Sequence, residues 1–214
     1  MDPGSPYATG LTSLWTATVG NAVRLPTGQD LTVTGSAAAW TTGRHGPAVS
    51  LPVAGRLTIP DPIPTSGTGS AMVVCLVEGA PTGDGFGWGA GVDTSQRWGM
   101  NAPFSDNTAY FDVGSTTVTS GSIAGSPNDN WETWVCCNGP ALAGRLYRDG
   151  TLLNSGSALT RSTANDAFGF GHNGSESSNG NAGRCCMWAT WSRELSVAEA
   201  KALSADPYLM FRAW

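Results

Sequence analysis

Charge is what this chain has least of. Asp, Glu, Lys and Arg make up 13% of its 214 residues, about half the usual globular share. Lys201 is the single lysine, and the formal net charge is -5. No basic stripe is available to neutralise phosphates, so nucleic acid is excluded as a partner. Histidine is nearly absent too, with only His45 and His172. Neither stands near the Cys-x-x-Cys spacing that a zinc site requires.

Long apolar runs are missing as well. No stretch of 18 apolar residues occurs, and the opening MDPGSPYATG has neither the basic start nor the apolar centre of an export signal. The expectation is a protein with no membrane partner, made and folded in a cytosol. Its five cysteines, Cys75, Cys136, Cys137, Cys185 and Cys186, are odd in number and include two adjacent pairs. Adjacent strand residues point to opposite faces, so each pair should send one thiol inward and one outward. In a cytosol these read as small, reduced, apolar side chains.

What the chain does have is enough apolar matter to fold. Hydrophobic residues make up 40% of it, nine of them tryptophans, alongside 29 glycines. Short apolar alternations punctuated by Gly, Pro, Asn and Asp fill the first 195 residues, among them LTSLWTATV, GPAVSLPV, SAMVVCLVEGA, TAYFDVG and WETWVCCNG. A period of two with turn punctuation is the pattern of an antiparallel sandwich or barrel. In GFGWGAG, glycines at 85, 87, 89 and 91 alternate with Phe86, Trp88 and Ala90. One face of that strand would be bare backbone, suited either to tight packing or to a ligand-facing groove. RLYRDGTLLNSG reads as a hairpin turning at Asp149-Gly150. Ser196 with Glu199 forms a capping box for a helix that Asp206-Pro207 should end, with Val197, Ala200 and Leu203 facing the sandwich. The expected organisation is an arm over 1–10, a sandwich over 11–195, and a helix with an aromatic tail over 196–214.

This order of motifs resembles the LamG-like, concanavalin A-like lectin/glucanase jelly roll. The residues that carry the likeness are Trp134 leading into Tyr147-Arg148-Asp149-Gly150, and Trp191-Ser192-Arg193-Glu194-Leu195-Ser196 running on through Glu199 and Leu203. The stretch GRHGPAVSLPVAGRLTIPDPIP is similar to the family's entry strands. The resemblance implies an all-β antiparallel jelly-roll sandwich with one short C-terminal helix. The tail Ser204-Ala205-Asp206-Pro207-Tyr208-Leu209-Met210-Phe211 further resembles an ending found on such domains in bacteriophage structural proteins.

Glucanases on this fold use closely spaced carboxylates, one as nucleophile and one as acid. Here the five glutamates, at 78, 132, 176, 194 and 199, have no acidic residue two positions away, and only Glu132 sits among tryptophans. No Gly-x-Ser-x-Gly elbow accompanies His172, so a non-enzymatic protein is expected. Sugar binding wants a flat aromatic and nearby amides or carboxylates. Trp88 and Trp98 with Asp84 and Asp93, and the loop of Asn173, Glu176 and Asn179, are the candidates, although a sandwich tryptophan is as readily core. No cofactor is expected. Calcium would need convergent oxygens from Asp84, Asp93, Asp106 and Asp112, and no ligand set can be assigned. Tyr208, Phe211 and Trp214 are candidates for an interface, if they do not fold back onto the domain.

The leading expectation is a bacteriophage virion protein, a capsid decoration or surface appendage, with the major capsid protein as partner and, by the same resemblance, a homo-oligomer. The alternative is an adhesin module for surface glycans. A diverged glycoside hydrolase centred on Glu132 is the third reading.

Overall fold

The computed structural model describes residues 5–17, 32–34, 39–44, 46–52, 55–79, 87–90, 97–102, 104, 106–122, 130–161, 168–170 and 182–211. Its strands form two antiparallel sheets. The first contains β1 (Leu11–Thr16), β3 (Ala39–Gly43), β4 (Gly46–Leu51), β6 (Gly69–Val77), β11 (Trp131–Asn138), β12 (Gly144–Arg148), β13 (Thr151–Gly156) and β15 (Gly183–Trp191). Their order is β13-β12-β11-β6-β15-β4-β3, with β1 also paired to β15. The second contains β2 (Thr32–Thr34), β5 (Arg56–Ile59), β7 (Gly87–Ala90), β8 (Trp98–Asn101), β9 (Thr108–Val113), β10 (Thr116–Ser122) and β14 (Phe168–Phe170), in the order β10-β9-β8-β7-β14-β5-β2. The fold is the expected antiparallel jelly-roll sandwich with one short C-terminal helix, α1 (Val197–Ala205).

Two apolar layers follow from the alternation of side chains. Between the sheets lie Trp15, Val73, Trp98, Met100, Phe111, Trp134 and Trp188 with their neighbours. On the outer face of the first sheet, Met72, Val74, Val135, Met187 and Trp191 meet Tyr7, Leu195, Ala200, Leu203 and Met210. The long strands β6 and β11 are buried over nearly their whole length on both faces, so the period of two read in their sequences marks no solvent-facing side. The cysteine pairs split as expected. Cys136 and Cys185 face the inter-sheet core, and Cys137 and Cys186 face the helix layer.

The Asp149-Gly150 hairpin forms with φ of 45° and 81°, the positive values that a type I′ turn requires. The capping box is present. Ser196 Oγ accepts from the Glu199 amide, and Glu199 Oε2 accepts from the Ser196 amide. One expectation for the helix fails: Val197 is 50% exposed, and the buried stripe is Ala200, Leu203 and Ser204. Val197 stands in the first turn, three positions before Ala200 and short of the sheet that the later turns cross.

The expected arm is held from Ser5 onward. Pro6–Ala8 form a 3-10 turn that buries Tyr7, and Trp191 Nε1 donates to the Tyr7 carbonyl at 2.8 Å. Arg193 fastens both chain ends. It donates to the Pro6 and Thr9 carbonyls and, through two nitrogens, to the Glu199 carboxylate. The tail continues as a second 3-10 turn, Pro207–Phe211, with Met210 fully buried, Tyr208 half-buried and Phe211 exposed. Trp214 lies outside the described residues.

Candidate functional site

The glycine strand β7 pairs with β8 and β14, and the register sets Gly169, Gly89 and Gly99 side by side, with Asp112 of β9 next in the row. Trp98, Met100, Phe111 and Val113 occupy the core, so their alternates Gly99, Asn101, Tyr110 and Asp112 belong to the outer face of the second sheet. That face therefore carries a row of glycines beside polar side chains, and Gly89, Gly99, Gly169, Asn101 and Asp112 are all buried on it.

Gly89 adopts φ of 148°, and a Cβ there would fall well inside van der Waals contact with Gly99 Cα and the Trp98 carbonyl. This residue bears out the tight-packing reading of the glycine strand. It is buried and packs tightly against β8.

Asp112 is held by Arg97, whose Nη1 donates to Oδ2 at 3.0 Å. Its other oxygen, Oδ1, has no partner, and neither does Asn101 Oδ1. Both residues are buried, at 8% and 3% exposure. An acceptor removed from water without a donor costs on the order of 1–3 kcal/mol, so two on one face are a standing cost that calls for an explanation. Tyr110 is opposite Asn101 in register. Its hydroxyl donates to Asp106 Oδ2 at 2.7 Å, which pulls the Asp106 carboxyl down and pushes the phenol up. Phe104 meets the Tyr110 ring edge-on, with centroids 5.3 Å apart. The result is an oriented aromatic ledge beside two unsatisfied acceptors.

Among the residues expected to bind ligand, Trp98 is corrected. It is fully buried, packs edge-on against Phe111, and donates from Nε1 to the Gly67 carbonyl, so no ring face is open to a sugar. Trp88 stands in register with Met100 and Phe170 in β7. Asp84, Asp93, Asn173 and Glu176 lie outside the described residues. Asn101 and Tyr110 were passed over in the sequence, and Asp112 was weighed only for calcium. The signal was there: WGMN and TAYFDV each alternate a core residue with a glycine or polar one. Among the described residues no three His, Cys, Asp or Glu side chains gather to hold a metal.

Glu132 lies at the margin of the inter-sheet core, 5% exposed. One oxygen accepts from Arg148 and the other from Trp134 Nε1, while the Arg148 guanidinium carbon is 5.7 Å from the Trp134 ring centre. Both carboxylate oxygens are thus committed to structural partners. Burial pushes the carboxyl from its ordinary 4.5 to about 7, outweighing the pull of Arg148. The folded protein then holds a proton that the unfolded chain has released. This stabilisation is complete below the ordinary carboxylate range and is lost as pH rises to about 7. Stability to urea is expected to fall from about pH 5 to pH 8, and Glu132→Gln to flatten that slope. Equal slopes for the two proteins would disprove the assignment.

No family model matches the chain, and no curated protein does. Solved structures do resemble it. Domain 4 of AbnA, an extracellular GH43 arabinanase from Geobacillus stearothermophilus determined with arabinotriose, is 18% identical with a TM-score of 0.70, covering 91% of this chain and 98% of that one. The binding domain of Paraclostridial Mosquitocidal Protein 1 is 14% identical with a TM-score of 0.69, over 93% of this chain and 52% of that one. The botulinum neurotoxin serotype D binding domain is 11% identical with a TM-score of 0.68, over 91% and 51%. The chain spans about half the length of these toxin binding domains. At such identities the likeness shows the fold alone, a lectin-like β-sandwich.

Proposed function

We propose that the chain is a glycan-binding module whose site is the outer face of the second sheet. The observation that carries this reading is the polar row of Tyr110, Asn101 and Asp112 on that face, two of whose buried oxygens, Asn101 Oδ1 and Asp112 Oδ1, have no donor within the protein. Sugar hydroxyls supply the missing donors, and the half-buried Tyr110 ring offers an aromatic surface for the C–H face of a sugar. Arg97 already engages the Asp112 carboxylate, so no cation is offered to an anionic sugar there and the ligand class we name is neutral oligosaccharide. The arabinanase domain with its bound arabinotriose, in a similar sandwich, supports the choice.

Titration calorimetry with arabinotriose and a panel of neutral oligosaccharides tests it. Binding is expected, with affinity reduced roughly tenfold or more in Asn101→Ala, the loss of one buried hydrogen bond. Absence of binding to every member of a broad glycan array would overturn the reading.

A bacteriophage virion protein, a capsid decoration or surface appendage, is the second reading, and a glycan-binding appendage would serve it. It rests on the resemblance of the tail, to which the structure adds one feature: Phe211 is exposed, with its ring centre 6.3 Å from that of Tyr208. Mass spectrometry of purified particles tests it, and absence of the chain there removes it.

A further inference from the structure

All five cysteines are free and buried. Sheet register and face together leave one pair able to meet. Cys75 of β6 and Cys185 of β15 are direct partners across the antiparallel ladder, and both face the inter-sheet core. Cys136 shares that face but pairs with Ala71, four residues along β6 from Cys75, a separation of about 13 Å. Cys137 and Cys186 belong to the opposite layer, where Cys186 Sγ points to the Val74 carbonyl. Vicinal pairing of Cys136 with Cys137, or of Cys185 with Cys186, would require side chains on opposite faces of one strand to converge.

We infer that Cys75 and Cys185 form a cross-strand disulfide when the chain folds in the presence of a small-molecule disulfide. Opposed residues in an antiparallel pair have Cα atoms about 4.5–5.5 Å apart, inside the roughly 4.4–6.8 Å window of protein disulfides. The chemistry is two successive exchanges. A Cys75 or Cys185 thiolate attacks oxidised glutathione and releases one reduced glutathione. The second cysteine, losing its proton to solvent, then attacks the mixed disulfide and releases the other. Two protein thiols become one S–S bond, and one oxidised glutathione becomes two reduced ones.

Timing follows from burial. Desolvation pushes both thiols well up in the folded protein, and at Cys75 the Glu132 carboxylate, opposite it in register, adds to this. Folded thiols therefore expose little thiolate to an oxidant. The bond forms as β15 docks on β6, before the core closes. It links the two strands at the centre of the first sheet and closes a loop of about 110 residues.

Refolding the full chain from urea in oxidised and reduced glutathione, followed by peptide mapping under non-reducing conditions, tests this. The expected result is a Cys75–Cys185 linkage, three remaining thiols, and a Tm raised by on the order of 5–15 °C that reductant abolishes. Cys136→Ser should keep the linkage, and Cys185→Ala should retain all four of its thiols. Five free thiols in the refolded wild type, or any other linkage as the main product, overturns the inference without reliance on a variant.

Discussion

Glu194→Ala is expected to cost about 3–5 kcal/mol of unfolding free energy, the usual effect of orphaning a buried charge. Arg145 is its partner and is 3% exposed. Arg145 Nη2 donates to Glu194 Oε1 at 3.2 Å and to the Leu195 carbonyl at 2.6 Å, and Nη1 donates to the Tyr147 hydroxyl. The other Glu194 oxygen accepts from the amides of Ala141 and Leu142, holding the turn between β11 and β12. Removing the carboxylate leaves a guanidinium without its counter-charge and two amides without an acceptor. A domain holding about 5–15 kcal/mol in all would lose much of its margin. Urea melts should show a lower midpoint with an unchanged slope. Glu194→Gln, which keeps an acceptor and drops the charge, should fall between. Replacing both partners, Arg145→Met with Glu194→Leu, should recover most of the loss, because it is the broken pair that is costly. A loss under about 1 kcal/mol for Glu194→Ala would refute the argument.

This ion pair also marks where sequence reading reached and stopped. Arg145 stands in the hairpin read from RLYRDGTLLNSG, and Glu194 in the closing motif between β15 and the helix. Their pairing is a contact across 49 positions that no local period encodes. The helix cap and the Asp149-Gly150 turn were legible because their chemistry is local: a side chain answering an amide three residues on, and a residue pair suited to positive φ. Tyr7 was missed for the opposite reason. Its segment has no period, and it is ordered by Arg193 and Trp191 from the far end of the chain. Trp98 was misread because an aromatic beside aspartates in sequence need not share their face. Alternation in β8 sends it inward and turns Asn101 outward. The candidate site became visible only when β7, β8, β9 and β14 were aligned, since its row takes one residue from each strand.

Gly89→Ala is the second large effect expected, about 3 kcal/mol or more, with glycan binding lost along with stability. Two costs add. A φ of 148° is a region that side chains rarely occupy, worth about 1–3 kcal/mol. The new methyl would also meet Gly99 Cα and the Trp98 carbonyl, which are backbone atoms with no rotamer to yield. Relief requires β7 and β8 to part, which would shift Gly99 and Asn101 together. Gly46 separates the two costs. It has a similar φ of 139°, and a Cβ there meets nothing within 4 Å. Gly46→Ala should therefore show the conformational cost alone, and the difference between the two variants measures the collision. Calorimetric melts that gave both substitutions the same loss would eliminate the collision, and with it the claim that close approach of β7 to β8 is what requires glycine there. If the difference appears and glycan affinity falls only in Gly89→Ala, the glycines are needed first for the packing of the sheet. The binding face is then a consequence of that packing.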